Sequence, residues 1–358
     1  MLAQHAAPPP KADSVLRIAL AHPTYWPEVR RGAERLVHEL ARALEGHDVT
    51  VVTSHRARTT RTVDDGVRVV RLWRPPDGRM QRRLYEPFVP LIALTHRELR
   101  AGGYEIIEAM QPGCAVAAAQ TGVPTVFSHM GVPHRRAIVN RRLRLELTQR
   151  AVREAAAVTV LSEHARDGAY RWLGVEARVI APPVDVDTFR AGGPRSEHPT
   201  IVCPADAREP RKRVDLLREA FALVKCEHPR ARLLLDARTA PDGVPMDDLP
   251  ALYRSAWVCA LPSWGEAFGL VLAEALACGT PVVGADLHGI PEVLGGDEGI
   301  GRLFSGDDPA ALARALLEAI ELAADPATAA RCRVRGEFFS ARRCAERHEA
   351  LYREILTR

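Results

Sequence analysis

The sequence predicts an α/β protein of two Rossmann-like units, each a parallel sheet covered by helices. Short β-like apolar runs alternate with helix-like runs from Val15 onward. The 358 residues exceed what one hydrophobic core ordinarily organises. A polar stretch bearing Pro and Gly, residues 191–199, interrupts the alternation near its middle and reads as a hinge. The domains expected are 15–195 and 196–340, with a disordered leader over 1–14 and a C-terminal helix over 341–358.

In the first half, strands are expected at 16–21, 48–53, 67–72, 105–109, 124–128, 157–161 and 177–180. Between the first two, Leu36, Val37, Leu40, Ala41 and Leu44 recur at helical spacing, and Gly46 closes that helix. After the hinge the alternation restarts, with strands at 200–203, 231–235, 258–261 and 281–285. The helices of this half fall at 214–225, 249–255 and 268–278, and an amphipathic one at 341–356 ends the chain. Ligands of such sheets bind beyond the carboxyl ends of the strands, so a cleft between the two units is the expected site.

Composition narrows the class. Hydrophobic residues make up 47% and charged residues 26%, the balance of a soluble globular protein. No apolar run approaches the roughly 20 residues that cross a bilayer, and the Pro-rich leader does not read as a secretory signal. The seven cysteines are scattered without a Cys-x-x-Cys pair, so neither a disulfide framework nor a zinc site is indicated and a cytoplasmic location is expected. The net charge of +4 is uneven, the first half being basic and the second acidic. A basic half suits phosphates, an acidic acceptor or a lipid surface, though solvated helix faces give the same balance.

The most informative stretch is Pro262-Ser263-Trp264-Gly265-Glu266-Ala267-Phe268-Gly269-Leu270, continuing through Glu274 to Pro281. From Gly269 to Cys278 every residue except Glu274 is apolar or small, which marks a buried helix. A buried carboxylate is costly unless hydrogen-bonded, so Glu274 should have a specific partner. Glu266 precedes Glu274 by eight positions, just outside the helix start, where free N–H groups and the helix dipole attract an anion. Two carboxylates flanking an anion site suit a ligand with hydroxyls at both ends and phosphates between. A nucleotide sugar has that chemistry. The bland alternative is a turn glutamate and a core glutamate paired within the protein.

This stretch, with the Ala-Cys-Gly-Thr-Pro-Val-Val that follows, resembles glycosyltransferase family 4, whose members are retaining, metal-independent enzymes of the GT-B fold. Further matches are Arg31-Gly32-Ala33-Glu34-Arg35, Ser128-His129-Met130-Gly131, Pro183-Val184-Asp185, Glu209-Pro210-Arg211-Lys212 and Gly289-Ile290-Pro291-Glu292. The resemblance implies an acceptor domain first and a nucleotide-sugar domain second, with the C-terminal helix packing back on the first.

It also implies roles. Glu266 would contact donor-sugar hydroxyls and Glu274 the ribose. The backbone of Ala267, Phe268, Gly269 and Leu270 would face the phosphate or sugar. Lys212 would bind the diphosphate and stabilise the leaving group. Gly32 would let the first-domain loop approach the phosphates, and His129 would sit beside the reacting centre. Arg31, His129 and Arg135 would lie on the acceptor side. For a lone His at a strand end or a Lys within Arg-Lys-Arg, a polar cap or a solvated charge is the plain reading.

The sequence departs from the family in four places. The usual Gly-Gly loop reads Arg31-Gly32, and the Gly-Arg that holds the phosphates aligns with Ala205-Asp206, leaving Arg208 to supply the charge. The glycine common after the lysine is Arg213, and the segment from Leu235 to Asp247, which helps form the nucleobase pocket, is short. The donor base is therefore not set by the resemblance.

Other motifs carry less. Asp185-Val186-Asp187 has the form of a metal-binding D-x-D but precedes the hinge, so a structural role is expected. Gly299-Ile300-Gly301 lacks a dinucleotide-binding context, and neither a Walker A nor a Gly-x-Ser-x-Gly sequence occurs. Residues 134–150, with Arg135, Arg136, Arg141, Arg142 and Arg144, form a basic helix that suits an anionic membrane or acceptor. The tryptophans show no stacking pattern for nucleic acid. The expected function is a retaining transfer of a hexose-type sugar from a nucleotide-sugar donor to a hydroxyl of a small-molecule acceptor, with no metal. The alternatives are a nucleotide-sugar epimerase, a membrane-lipid glycosyltransferase, and a donor-binding protein without catalysis.

Overall fold

The computed structural model describes residues 14–75, 88–139 and 142–358. The leader expected over 1–14 lies, except for Ser14, outside the described residues. The chain divides into two compact units: one of the described residues up to Val160 with Arg166–Ile180 and Cys344–Arg358, the other of Leu161–Ala165 and Ala181–Arg343.

The first unit is built on an eight-stranded sheet in the order β3-β4-β2-β1-β5-β6-β7-β8. Its strands are β1 (Arg17–Ala21), β2 (Asp48–His55), β3 (Thr60–Asp64), β4 (Val67–Trp73), β5 (Ile106–Ala109), β6 (Thr125–His129), β7 (Ala157–Val160) and β8 (Arg178–Val179). All pair in parallel except β3, which returns antiparallel along β4. Central strands of such a sheet are covered on both faces and need continuous apolar runs. β1 has that composition, and Ile18, Ala19, Leu20 and Ala21 are fully buried. The helices are α1 (Gly32–Ala43), α2 (Leu91–Ala101), α3 (Pro112–Ala119), α4 (Arg135–Val139), α5 (Arg142–Glu154) and α6 (Glu163–Leu173), whose first three residues fall in the second unit. The basic stretch expected as one helix over 134–150 thus appears as α4 and α5, with residues 140 and 141 outside the described set.

The second unit carries a five-stranded, all-parallel sheet in the order β10-β9-β11-β12-β13. Its strands are β9 (Thr200–Cys203), β10 (Arg232–Leu235), β11 (Val258–Leu261), β12 (Val282–Ala285) and β13 (Gly301–Phe304). Its helices are α7 (Val214–Glu227), α8 (Leu249–Ser255), α9 (Leu270–Ala277), α10 (Ile290–Leu294), α11 (Pro309–Ala324) and α12 (Pro326–Glu337). Three of these helices begin at an Asp N-cap with Pro in the first turn. Asp248, Asp308 and Asp325 accept from the N–H groups of Ala251, Ala310 and Ala327 at 3.0, 2.9 and 2.8 Å. Each cap satisfies a donor that the helix leaves free, where proline is also tolerated.

The division differs from the one expected at residues 161–165, 181–195 and 341–343, all of which fall in the second unit. Residues 181–195 belong to the second unit because Val184 and Phe189 are buried in its core. Val184 also exchanges 2.8 Å backbone bonds with Phe339 and Ala341, and Arg195 donates to the carbonyls of Ala323 and, at 3.0 Å, Gly279. The last helix, α13 (Ala341–Leu356), belongs with the first unit from Cys344 onward, as the resemblance implied. There Tyr352 and His348 reach the fully buried Glu108, and Arg178 pairs with Glu354 at 2.6 Å.

No cysteine among the described residues is disulfide-bonded, and no described helix is long and apolar enough to cross a membrane. Asp185, of the D-x-D sequence, turns its carboxylate back on the N–H groups of Asp187 and Thr188 (both 3.1 Å) and the Thr188 hydroxyl (2.7 Å). That is a structural cap.

Candidate functional site

In the second unit the site is assembled around α9. Apart from Glu274 its side chains are apolar on every face, so the helix is packed among neighbours and its N-terminus is fixed in place. Gly269 stands at φ +112°, a backbone conformation that favours glycine, and sets the turn into the helix. The helix therefore starts at Leu270, two residues later than expected. The preceding loop lies against the start of α10, where a Cβ on Gly289 would come within 2.2 Å of the Ala267 carbonyl. Gly289 N–H also donates to the Glu266 carbonyl at 3.2 Å. The glycine of the Gly-Ile-Pro-Glu sequence is thus required by close backbone approach. The Phe268 side chain is buried edge-on to Phe339, with ring centroids 5.0 Å apart.

Glu274 is 2% exposed on α9, and the Tyr253 hydroxyl donates to its Oε2 at 3.3 Å. A partner was expected; its identity was not legible, because Tyr253 comes from a separate helix, α8. Glu292 also serves a structural bond. Its two carboxylate oxygens accept from the N–H groups of Glu163 and His164 at 2.8 and 2.9 Å, an anion on a helix N-terminus.

Lys212 and Glu266 meet, although 54 residues separate them: Nζ donates to Oε1 at 2.5 Å, and both side chains are 17% exposed. Lys212 ends a short 3-10 turn, Pro210–Lys212, that follows β9. That turn is bound to the Glu266 loop by backbone as well. Trp264 N–H donates to the Arg211 carbonyl at 2.7 Å, and Arg211 Nη1 donates to the Gly265 carbonyl at 2.8 Å and to Glu266 Oε1 at 3.2 Å. The chain contains 49 Lys and Arg residues, and its lysines are Lys11, Lys212 and Lys225. An ammonium at 212 is a compact point charge in a protein that otherwise relies on guanidinium groups. The exposed Trp264 ring stands edge-on to His288 at 6.3 Å, and His288 lies 4.8 Å from His164.

Arg208 is not an open cation. Its backbone N–H, Nε and Nη2 donate to the Asp206 carboxylate at 2.9, 3.0 and 2.9 Å. Those side-chain bonds to Asp206 raise its pKa. The same tripeptide recurs on the neighbouring strand. Asp236-Ala237-Arg238 directly follows β10, while Asp206-Ala207-Arg208 follows β9 after Pro204-Ala205, and Arg238 donates to Asp236 from its backbone N–H (2.9 Å) and Nη2 (2.6 Å). The Thr239 hydroxyl accepts from Ala207 N–H at 3.1 Å and joins the two. Two ion pairs thus stand at adjacent strand ends, where one arginine was expected. The short segment after β10 is an ordered turn: Val244 N–H returns to the Leu235 carbonyl at 2.7 Å, and Arg218 holds Asp242 at 2.6 Å.

In the first unit, Arg31 is the exposed N-cap of α1, and Gly32 opens the helix with nothing within 4 Å of where a Cβ would stand. Among the described residues nothing blocks the space where a Cβ at Gly32 would stand. Arg30 and Arg35 lie 5.8 Å from the Trp26 ring. Beneath the loop, the buried Glu34 accepts from the Thr24 hydroxyl at 2.7 Å, while burial lowers the pKa of His22 beside it. His129 ends β6, its Nδ1 3.0 Å from the Gly131 carbonyl, and desolvation lowers its pKa, favouring the neutral ring. Arg135 is exposed at the start of α4. Among the described residues no group of three or more His, Cys, Asp or Glu is placed to hold a metal ion.

Comparison with known proteins adds to this geometry. Residues 30–188 match the family model "Glycosyltransferase Family 4", and residues 198–321 match "Glycosyl transferases group 1". The chain is 31% identical over 246 residues, 62% of its length, to a phosphatidyl-myo-inositol mannosyltransferase of Propionibacterium freudenreichii subsp. shermanii, and spans 63% of that relative. A sucrose-phosphate synthase from Thermosynechococcus elongatus superposes with a TM-score of 0.74 at 22% identity, covering 94% of this chain and 98% of that one. Anabaena HepE, in complex with UDP-glucose, gives 0.71 at 18% identity, covering 94% and 99%. At these identities the likeness is one of fold.

Proposed function

Because the chain belongs to glycosyltransferase family 4, we propose that it transfers a hexose-type sugar from a nucleoside-diphosphate donor to a hydroxyl acceptor, with retention and without a metal. The observation that carries this is the Lys212–Glu266 pair, held by two bonded segments beside the start of an apolar helix. A carboxylate for sugar hydroxyls and an ammonium for a diphosphate stand side by side there. When a donor enters, each group exchanges its internal partner for the ligand, so neither was buried without compensation. Lys212 and the amides at the start of α9 then stabilise the charge that develops on the leaving diphosphate. Glu274, fixed by Tyr253, is the group for the ribose.

We further propose, on the resemblance, that Gly32 and His129 take part in the reaction. The open approach at Gly32 suits phosphate oxygens, and a neutral His129 can hold a hydroxyl by hydrogen bonding. The acceptor hydroxyl attacks the face that the diphosphate leaves, and the departing phosphate takes the proton. No carboxylate serves as covalent nucleophile. The named substrate of the inositol-lipid relative supports a cyclitol hydroxyl as acceptor. A soluble polyol or its phosphate is favoured over the lipid.

The test is a melting-temperature screen against UDP, GDP and ADP, followed by mass spectrometry of the matching sugar nucleotides with myo-inositol, its phosphate and phosphatidylinositol vesicles. Transfer that persists in EDTA, with the donor's anomeric configuration kept in the product, is expected. Donor conversion without acceptor would make the protein an epimerase. Binding without turnover would make it a donor-binding protein, and a chain that binds no nucleotide would overturn the proposal.

A further inference from the structure

Arg213 stands where the family commonly has glycine, and its backbone occupies the left-handed region, φ +50° and ψ +39°. Glycine takes that conformation freely, whereas an arginine must be held there by its surroundings. Its side chain, 11% exposed, has such contacts. Nε donates to the Pro262 carbonyl at 2.6 Å, at the root of the loop that carries Glu266. Nη1 donates to the Gly306 carbonyl at 2.9 Å and to the Asp307 carboxylate. The guanidinium also lies 5.4 Å from the Phe304 ring centroid. Arg213 directly follows Lys212, so one residue touches the turn of the ammonium and the loop of the carboxylate.

We propose that Arg213 is a positioning residue, a clamp that fixes the Lys212-bearing turn against the Glu266-bearing loop and so sets the geometry of the Lys212–Glu266 pair. Its consequence for donor binding rests on the function proposed above; the clamp itself rests on geometry alone. The Asp307 carboxylate and the Phe304 ring keep the guanidinium oriented, and Nε holds the loop. A side chain able only to fill space would leave the Pro262 carbonyl without this donor.

The test uses the full chain with Arg213→Gly, which relieves the backbone and removes the clamp, and Arg213→Lys, which keeps a cation. Lysine amines are trace-labelled with acetic anhydride well below the melting transition, and Lys212 is compared with the exposed Lys225 by peptide mass spectrometry. The expected result for the glycine variant is a rise in the Lys212/Lys225 ratio of about fivefold, the worth of one lost hydrogen bond. The lysine variant should recover part of that loss. An unchanged ratio in folded Arg213→Gly overturns the clamp. Calorimetric titration of both variants with UDP and GDP separates the two claims. A raised ratio with weakened nucleotide binding supports both; a raised ratio with unaltered binding keeps the clamp and sinks the donor reading of the pair.

Discussion

Lys212 Nζ lies 2.5 Å from Glu266 Oε1, and Arg211 reaches the same oxygen from 3.2 Å. Glu266 is thus held by two cations before any ligand arrives, and the two cations differ in what they can do for one. Arg211 is half-exposed and also paired with Glu209 at 2.9 Å, whereas Lys212 is mostly buried beside Glu266. We expect Lys212→Ala to lower kcat/KM by about 10²–10³-fold, the range for removing a preorganised donor from a developing charge. Arg211→Ala should cost far less. Steady-state kinetics with the donor identified by screening would check both, and equal losses would show that the charge is shared.

Asp206 stands where the resemblance would place a phosphate-binding arginine, and it holds Arg208 with three hydrogen bonds. Its negative charge both opposes a diphosphate and occupies the nearest guanidinium. Asp206→Asn keeps the shape and removes the charge, so it should tighten nucleoside-diphosphate binding by about tenfold, the effect of one charge-assisted bond. Calorimetry decides it. In Asp206→Asn/Arg208→Ala the gain should vanish, and a gain that persists would place the phosphates elsewhere.

Much of this molecule was legible in its sequence. The parallel strands were, because β1, β9 and β11 are continuous apolar runs that only a doubly covered sheet explains. β3 was not. It is an antiparallel edge strand with Val63 68% exposed, held by its ladder to β4 and by Arg71 bonding to Thr62 (2.8 Å) and Asp64 (2.5 Å). β13 was missed because it starts at Gly301, which a strand ordinarily disfavours. Here a Cβ would fall 2.2 Å from the Val282 carbonyl of the neighbouring strand. The acidic pair of the candidate site was singled out by its spacing and its apolar helix. The partners of that pair were not, since Lys212 and Tyr253 reach it only through the register of separate strands and helices.

Glu274 and Tyr253 allow chemistry and stability to be separated. Glu274→Gln keeps volume and hydrogen bonding but removes the charge, so activity should fall strongly while the fold stays intact. Tyr253→Phe keeps the ring and deprives a buried carboxylate of a donor, which should destabilise the protein by about 1–3 kcal/mol. Urea denaturation and single-substrate kinetics on the two variants would read these effects independently. Unchanged turnover in Glu274→Gln would remove that residue from the site.

The C-terminal helix is attached to the first unit through a buried charge pair, and its stability should depend on pH in a defined direction. His348 Nδ1 lies 3.0 Å from Glu108 Oε2, and Glu108 also accepts from the Tyr352 hydroxyl and, at 2.5 Å, from Ser128. Thr159 stands 2.5 Å from the Ser128 hydroxyl, and the buried Cys344 and the Glu349 carboxylate complete the surroundings on α13. Desolvation disfavours the charged imidazole, but Glu108 outweighs it and pushes the His348 pKa up to about 10. Burial likewise opposes ionisation of Glu108, yet His348 and the hydroxyl donors hold its pKa below 4.5. A raised histidine stabilises fully below its unfolded value of 6.5 and loses that contribution as pH rises toward about 10. A depressed carboxylate stabilises fully above 4.5 and loses its contribution as pH falls through its folded value. The pair therefore contributes most between these limits. His348→Gln should cost about 3 kcal/mol there, the penalty of breaking a buried ion pair. Urea midpoints of the variant and the parent should converge toward alkaline pH, and a gap that ignores pH would mean that His348 is uncharged in the folded chain.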